Sequence, residues 1–292
     1  MKIQSLSVVV PNANCVNACK FCVACMSHDE LLYKIQMDSN LPFYDLYLKD
    51  YLKRLEFCRD NGVNTVMLTG NSEPQQNRKF LTDFGIFMML LDRPFRCIEM
   101  QTTGVLLDSN YLRFLRNHVG VNTISLSVSS FDDTTNKEII GVRQNVGLDL
   151  KALAAEIKKY DFNLRLSINL SDAFNTLTAE ELFAQAADLF HADQVTFRVL
   201  YSSGQDTPQD RWIASHSASP ALISDIRTYI TEKGTAIGKL EYGQTKYSVN
   251  GLTTVLDDDC MSQELKEEIK YLILRPDGKL YSRWEDKASL LF

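Results

Sequence analysis

Short apolar runs rich in β-branched residues alternate along this chain with longer segments whose apolar positions recur every three to four residues. Ser5–Val10 (SLSVVV), Asn64–Thr69, Cys97–Thr102, Thr123–Val128, Leu164–Leu170 and Gln194–Leu200 read as strands. Between them, Leu41–Arg59 has helical periodicity, with Leu48, Tyr51, Leu55 and Cys58 on one face. Asn77–Leu91, Asn110–His118, Leu148–Tyr160, Thr178–Phe190 and Pro220–Lys233 also read as helices, and Thr178-x-x-Glu181 has the form of a capping box. Six successive strand–helix units imply a parallel sheet with its helices outside, that is, an α/β fold built as a partial (β/α)6 TIM-like barrel. In such barrels the working residues lie at the carboxyl ends of the strands.

The pattern changes near residue 236. Lys239–Leu256 reads as strand pieces and Ser262–Lys270 as a helix, while Tyr271–Arg275 and Lys279–Arg283 flank the turn Pro276-Asp277-Gly278. The expected organisation is a core barrel over 1–235 and a small α+β extension over 236–292.

Composition narrows the class. An apolar fraction of 45% over 292 residues is ordinary for a folded enzyme, and the net charge of −6 argues against a broad basic face for nucleic acid. No run approaches the ~18 apolar residues of a membrane span. The first residues, MKIQSLSVVVPNAN, lack the features of a secretion signal, so the expectation is a cytoplasmic protein whose seven cysteines are thiols or metal ligands.

Cys15, Cys19 and Cys22 stand at the spacing C-x3-C-x2-C, just after the first strand. Three such thiolates suit three irons of a [4Fe–4S] cluster and leave the fourth iron open to a small molecule. Cys25 brings a fourth thiol close by, so zinc is a competing reading, although zinc sites usually draw pairs from separated segments. A ferredoxin-type cluster is a second, but such runs end C-x3-C-P and here Met26 is the residue after Cys25. Chance clustering is a third. Cys25 is expected to be a free thiol on the following helix. His28, His118, His191 and His216 are scattered and form no metal-binding spacing, although His28 lies close enough to the cysteine run to face a substrate.

The run C-x3-C-x-aromatic-C, with Phe21 as the aromatic, resembles the radical S-adenosylmethionine (SAM) superfamily. That resemblance implies that the open iron chelates the amino and carboxylate groups of SAM. The reduced cluster would split the C5′–S bond, and the resulting 5′-deoxyadenosyl radical would abstract hydrogen from an organic substrate. Gly70-Asn71-Ser72-Glu73-Pro74 is similar to the family's Gly-Gly-Glu-Pro, with Asn71 and Ser72 at glycine positions; Glu73 would bind the SAM ammonium, and Gly70 would supply the turn beside it. Thr102-Thr103-Gly104, Ser127-Val-Ser-Ser130-Phe-Asp132, Ser167-Ile-Asn169 and Phe197-Arg198-Val199 resemble strand-end motifs of the molybdopterin-type GTP cyclase branch. By that likeness Thr102, Ser127 and Asn169 would lie along the SAM ribose and carboxylate, and Arg198 would pair with the carboxylate.

The resemblance covers roughly residues 5 to 200. Beyond it only Cys260 is present where the cyclases carry a second cluster on three cysteines, so GTP cyclisation is disfavoured. Ile273–Ser282 resembles the hairpin of peptide-modifying members, with Ser282 where a cysteine would be expected, which suggests an extension without its auxiliary cluster. Tyr201–Gly204 is expected to loop over the mouth and Trp284 to help close the bottom. The implied partners are a peptide, nucleoside-like or other small-molecule substrate and a one-electron reductant such as flavodoxin or ferredoxin. An iron–sulfur electron carrier or sensor without SAM turnover, and a zinc-stabilised binding module, are the readings from other classes.

Overall fold

A computed structural model describes residues 2–26, 41–142, 146–239, 244–258, 268–284 and 287–292. The expectations placed on His28, Cys260 and positions 262–267 fall outside these residues.

Six parallel strands form the centre: β1 (Lys2–Val9), β2 (Thr65–Thr69), β3 (Cys97–Thr102), β4 (Thr123–Val128), β5 (Asn163–Leu170) and β6 (Gln194–Val199), paired in chain order. Among the described residues the intervening helices are α1 (Leu48–Asp60), α2 (Arg78–Leu90), α3 (Ser109–Phe114), α4 (Asp133–Ile140), α5 (Leu150–Lys159) and α6 (Ala179–Ala184). After β6 come α7 (Pro208–His216) and α8 (Pro220–Lys233). This is the partial barrel that the alternation implies.

The strands are two-faced, and that decides where the site is. Leu6, Val8, Val66, Leu68, Ile98, Met100, Leu126, Leu166, Ile168 and Phe197 are buried in the main core. The alternate positions are polar: Glu99 and Gln101 on β3, Ser125 and Ser127 on β4, Arg165, Ser167 and Asn169 on β5, Arg198 on β6. A pleat of period two therefore sends apolar side chains towards the helices and polar ones into the barrel. Helix α2 shows the outer layer's driving force. Its Phe80, Leu81, Phe84, Phe87 and Met88 are buried, each worth roughly 1.5–3 kcal/mol relative to exposure. Asn77 caps it, its side chain accepting from the Phe80 N–H at 2.9 Å. Inside the barrel, Arg165 donates to the buried Glu99 carboxylate and to Gln194 Oε1, which ties β3, β5 and β6 together.

The strands after residue 235 continue the same sheet. Its order is β11-β10-β1-β2-β3-β4-β5-β6-β9-β8-β7, with β7 (Thr235–Lys239), β8 (Thr245–Val249), β9 (Leu252–Asp257), β10 (Glu268–Leu274) and β11 (Leu280–Tyr281). β9 runs parallel to β6 and β10 parallel to β1. Glu268–Lys270 is thus strand, not the end of a helix; pairing with β1 overrides the helix propensity of Glu and Lys. Two helices carry no clear periodic signal and emerge only here, α4 and α7. The helices expected through His118 and Phe190 finish in wider π turns at Leu115–Val119 and Gln185–Leu189, and Leu41–Tyr47 is a 3-10 turn rather than the start of α1. No helix among the described residues is long and apolar enough to cross a membrane.

Candidate active site

The cysteine loop leaves β1 at Val10, whose N–H bonds Thr69 O at 2.8 Å. Neighbouring elements then hold it from several sides. Asn77 Nδ2 donates to Pro11 O (2.6 Å), and the Gln76 amide bridges Asn14 O (2.8 Å) and the Val16 N–H (2.9 Å). The C-terminal carbonyls of α4 receive the next donors: Ala18 N–H to Ile140 O at 3.2 Å and Lys20 N–H to Ile139 O at 2.9 Å. Loop backbone and helix end meet so closely at Gly141 (φ +64°) that a Cβ there would lie 2.4 Å from Ala18 O. Ser203, on the loop after β6, reaches across to Met26 O at 3.4 Å.

Together these contacts form one cleft of about 310 Å³ at the carboxyl ends of the strands. All ten residues singled out in the sequence line it: Cys15, Cys19, Cys22, Phe21, Gly70, Glu73, Thr102, Ser127, Asn169 and Arg198. The structure adds Asn17, Gln101 and Ser125, which sequence reasoning passed over, and Thr103 and Ser167, which it quoted within motifs but gave no role. Ser125 and Ser167 stand two residues before Ser127 and Asn169, so the strand period points to them. For Asn17 the sequence holds no signal. Asn169 Nδ2 donates to Ser127 Oγ (2.9 Å) and Ser129 Oγ (3.3 Å), while Thr102 Oγ1 accepts from the Gly104 N–H (2.8 Å).

Two charged groups are arranged for a ligand. Glu73 is only 3% exposed. Its Oε2 accepts from the Thr103 N–H (3.0 Å) and hydroxyl (2.9 Å), but its Oε1 is buried with no hydrogen-bond partner. Burial pushes its carboxyl above the ordinary range; the Thr103 contacts, and the nearby Thr102 hydroxyl and Gln75 N–H, offset this in part. Arg198 Nε is likewise buried and unpartnered. A lone acceptor on a carboxylate and a lone donor on a guanidinium, in one cleft, complement a zwitterion.

The thiols are poised for metal. Burial is the main reason that Cys19 is raised to about 12, with Cys15, Glu73 and Cys25 adding repulsion. Cys22 is pushed up further by its hydrogen bond with Cys25 and then by burial. Cysteine sulfur is the usual ligand of iron–sulfur clusters, and three such donors in one cleft fit that group. Among the described residues, no three His, Cys, Asp or Glu side chains are gathered for a single metal ion. Cys25 is exposed and ends the 3-10 turn Val23–Cys25, its backbone N–H bonded to Cys22 O at 3.0 Å.

Leu200 and Tyr201 line the cleft, so the loop after β6 does border the mouth. Asp210 holds that loop, accepting from Ser202 Oγ, Ser203 N and Thr207 Oγ1, each at 2.7 Å. Burial alone would raise its carboxyl, but these bonds hold it well below the usual range. Trp212 of α7 is 6.2 Å from the Phe21 ring and stacks on His216 at 4.7 Å. Trp284, partly buried, packs against the cluster formed by Val9, Tyr271, Ile273 and Tyr281.

Comparison with known proteins gives this arrangement its class. Residues 9–182 match the Radical SAM superfamily. That is more than half of the chain, which belongs to this superfamily. SuiB from Streptococcus suis, solved with S-adenosylmethionine, superposes with a TM-score of 0.61 at 15% identity, covering 96% of this chain and 60% of that one. Native anSMEcpe with bound AdoMet gives 0.54 at 14% identity, covering 99% and 77%. The coproporphyrinogen III oxidase HemN from Escherichia coli, a radical SAM enzyme, gives 0.51 at 16% identity, covering 81% and 54%. At such identities the likeness concerns the fold, and this chain spans about 60% of the length of SuiB. No curated protein matches significantly.

Proposed function

We propose that this chain binds one [4Fe–4S] cluster through Cys15, Cys19 and Cys22 and uses it to cleave SAM reductively, so that the 5′-deoxyadenosyl group takes a hydrogen atom from an organic substrate. One observation carries the reading: the three thiols share a cleft with Glu73 Oε1 and Arg198 Nε, both buried and both without partners. A cluster that only stored electrons would need neither. When bound, the cluster supplies the electron and an open coordination position.

The protein's own part is binding and orientation. Glu73 accepts hydrogen bonds from the amino group of the methionine moiety, and Arg198 takes its carboxylate by a charge-assisted bond. Ser127 and Asn169, already hydrogen-bonded to each other, offer hydroxyl and amide groups to the ribose, and Thr102 lies beside them. Gly70, with φ +153°, packs the backbone after β2 against the start of the cysteine loop; a Cβ there would lie 3.3 Å from Val10 N. Asn12 Nδ2, at the start of that loop, donates to Glu73 O at 3.2 Å. Phe21 and Leu200 give the cleft an apolar wall that limits water near the reacting groups.

For the substrate we favour a peptide over a nucleoside-like compound or another small metabolite. SuiB bound to its precursor peptide SuiA shares this fold, with a TM-score of 0.56. A flavodoxin- or ferredoxin-type donor is the reductant this chemistry calls for. The test is anaerobic reconstitution with iron and sulfide, followed by dithionite and SAM. The parent should form 5′-deoxyadenosine and Cys19→Ala should not. Equal product from both would overturn the proposal.

A further inference from the structure

Asn17 lies between the first two cysteines, on the wall of the cleft. Its Nδ2 donates to Thr103 Oγ1 at 2.8 Å, and the same hydroxyl donates to Glu73 Oε2 at 2.9 Å. The hydroxyl has one proton to give, and the carboxylate takes it; the amide must then offer its N–H. That orientation turns Asn17 Oδ1 away from Thr103, and Oδ1 is buried without a partner. Two acceptor oxygens, Glu73 Oε1 and Asn17 Oδ1, are therefore left unsatisfied on either side of one threonine. Glu73 forms no ion pair among the described residues. Leaving two buried acceptors unpaired is costly unless a donor-rich ligand completes them, and an amino group whose lone pair is given to iron still carries two N–H donors, one for each oxygen.

We propose that Asn17, Thr103 and Glu73 form one receptor for the amino group of the bound amino-acid moiety, with Asn17 Oδ1 as a second acceptor beside Glu73 and Thr103 as the positioning residue that sets both. This rests on the reading of the cleft as a SAM site. It adds that the cysteine loop itself contacts the ligand's nitrogen. It also couples the loop to β3, because Thr103 follows that strand directly.

The test measures binding rather than turnover, on anaerobically reconstituted protein of verified iron and sulfide content. Isothermal titration compares S-adenosylhomocysteine with 5′-S-(3-carboxypropyl)-5′-thioadenosine, the same molecule lacking only the amino group. The parent should prefer the former by roughly tenfold or more, as expected for a charge-assisted bond. Thr103→Val, which keeps the shape and removes the hydroxyl, should reduce that preference to less than about threefold, and Asn17→Ala should reduce it in part. Thr103→Ser should restore it. If Thr103→Val keeps the parent's preference, or weakens both compounds equally, the proposal is wrong while the SAM site stands. If the parent shows no preference, the role of Glu73 at the amino group falls as well. Thr103 lies outside the cysteine loop, so its variants decide the matter even if Asn17→Ala loads iron poorly.

Discussion

A carboxylate with one oxygen satisfied and one buried without a partner is an expensive thing to keep in a folded chain. Glu73 has that form, and its raised carboxyl pKa records the cost. The sign follows directly. A carboxyl raised in the folded state opposes folding above its unfolded range, and the penalty eases as pH falls and the group takes a proton. Glu73→Gln should therefore leave the melting temperature at neutral pH unchanged or higher, while weakening S-adenosylhomocysteine binding by roughly ten- to a hundredfold. Calorimetric melts and titrations on one preparation check both; a large loss of stability would mean that Glu73 is a structural group. The sequence made Glu73 legible through the likeness of Gly70–Pro74 to the family's Gly-Gly-Glu-Pro motif. It left Asn17 illegible, because nothing in the cysteine spacing says which intervening side chain turns inward.

Helix α4 anchors the cysteine loop, yet its outline is faint in the sequence. Its eight residues bury only Asn136, Ile139 and Ile140, too few to show a period. What it contributes is its carbonyl end, which takes the Ala18 and Lys20 N–H groups. Gly141→Ala should force a Cβ to within 2.4 Å of Ala18 O at a positive φ. The expected outcome is iron incorporation cut severalfold and stability lowered by about 1 kcal/mol or more, measured by iron and sulfide per chain and by denaturant melts. Parent-like iron content would show that the loop is held elsewhere. Helix α7, which the sequence reading missed, starts at a capping box formed by Thr207 and Asp210. Hydrogen bonds to Asp210 hold its carboxyl well below the ordinary aspartate range. It therefore adds stability above that range and loses it as pH falls through the range and below. Asp210→Asn should narrow the parent's advantage in acid, and protease cutting near Gly204 should rise in the variant at neutral pH. An advantage independent of pH would count against this.

Across the whole molecule, the alternation of short apolar strands and amphipathic helices made the barrel legible from Ser5 to Val199, because each strand carries its own two-faced pattern. The closing strands were less so. β10 pairs with β1, nearly the whole chain away in sequence, and no local pattern announces a partner at that distance. The sequence suggests a boundary near residue 236, but β9 and β10 hydrogen-bond to β6 and β1 on opposite sides of the barrel. We expect a single cooperative thermal transition by both far-UV circular dichroism and calorimetry; two resolved transitions would support a separable extension. The central claim is narrower: three sulfurs hold a cluster with one iron left open to an amino acid's nitrogen and carboxylate. Electron paramagnetic resonance of the dithionite-reduced, anaerobically reconstituted protein, recorded with and without SAM, addresses it directly. The account requires a reduced-cluster signal that changes shape when SAM is added and does not change in Cys19→Ala. An iron-free sample, or a cluster signal indifferent to SAM, would contradict it.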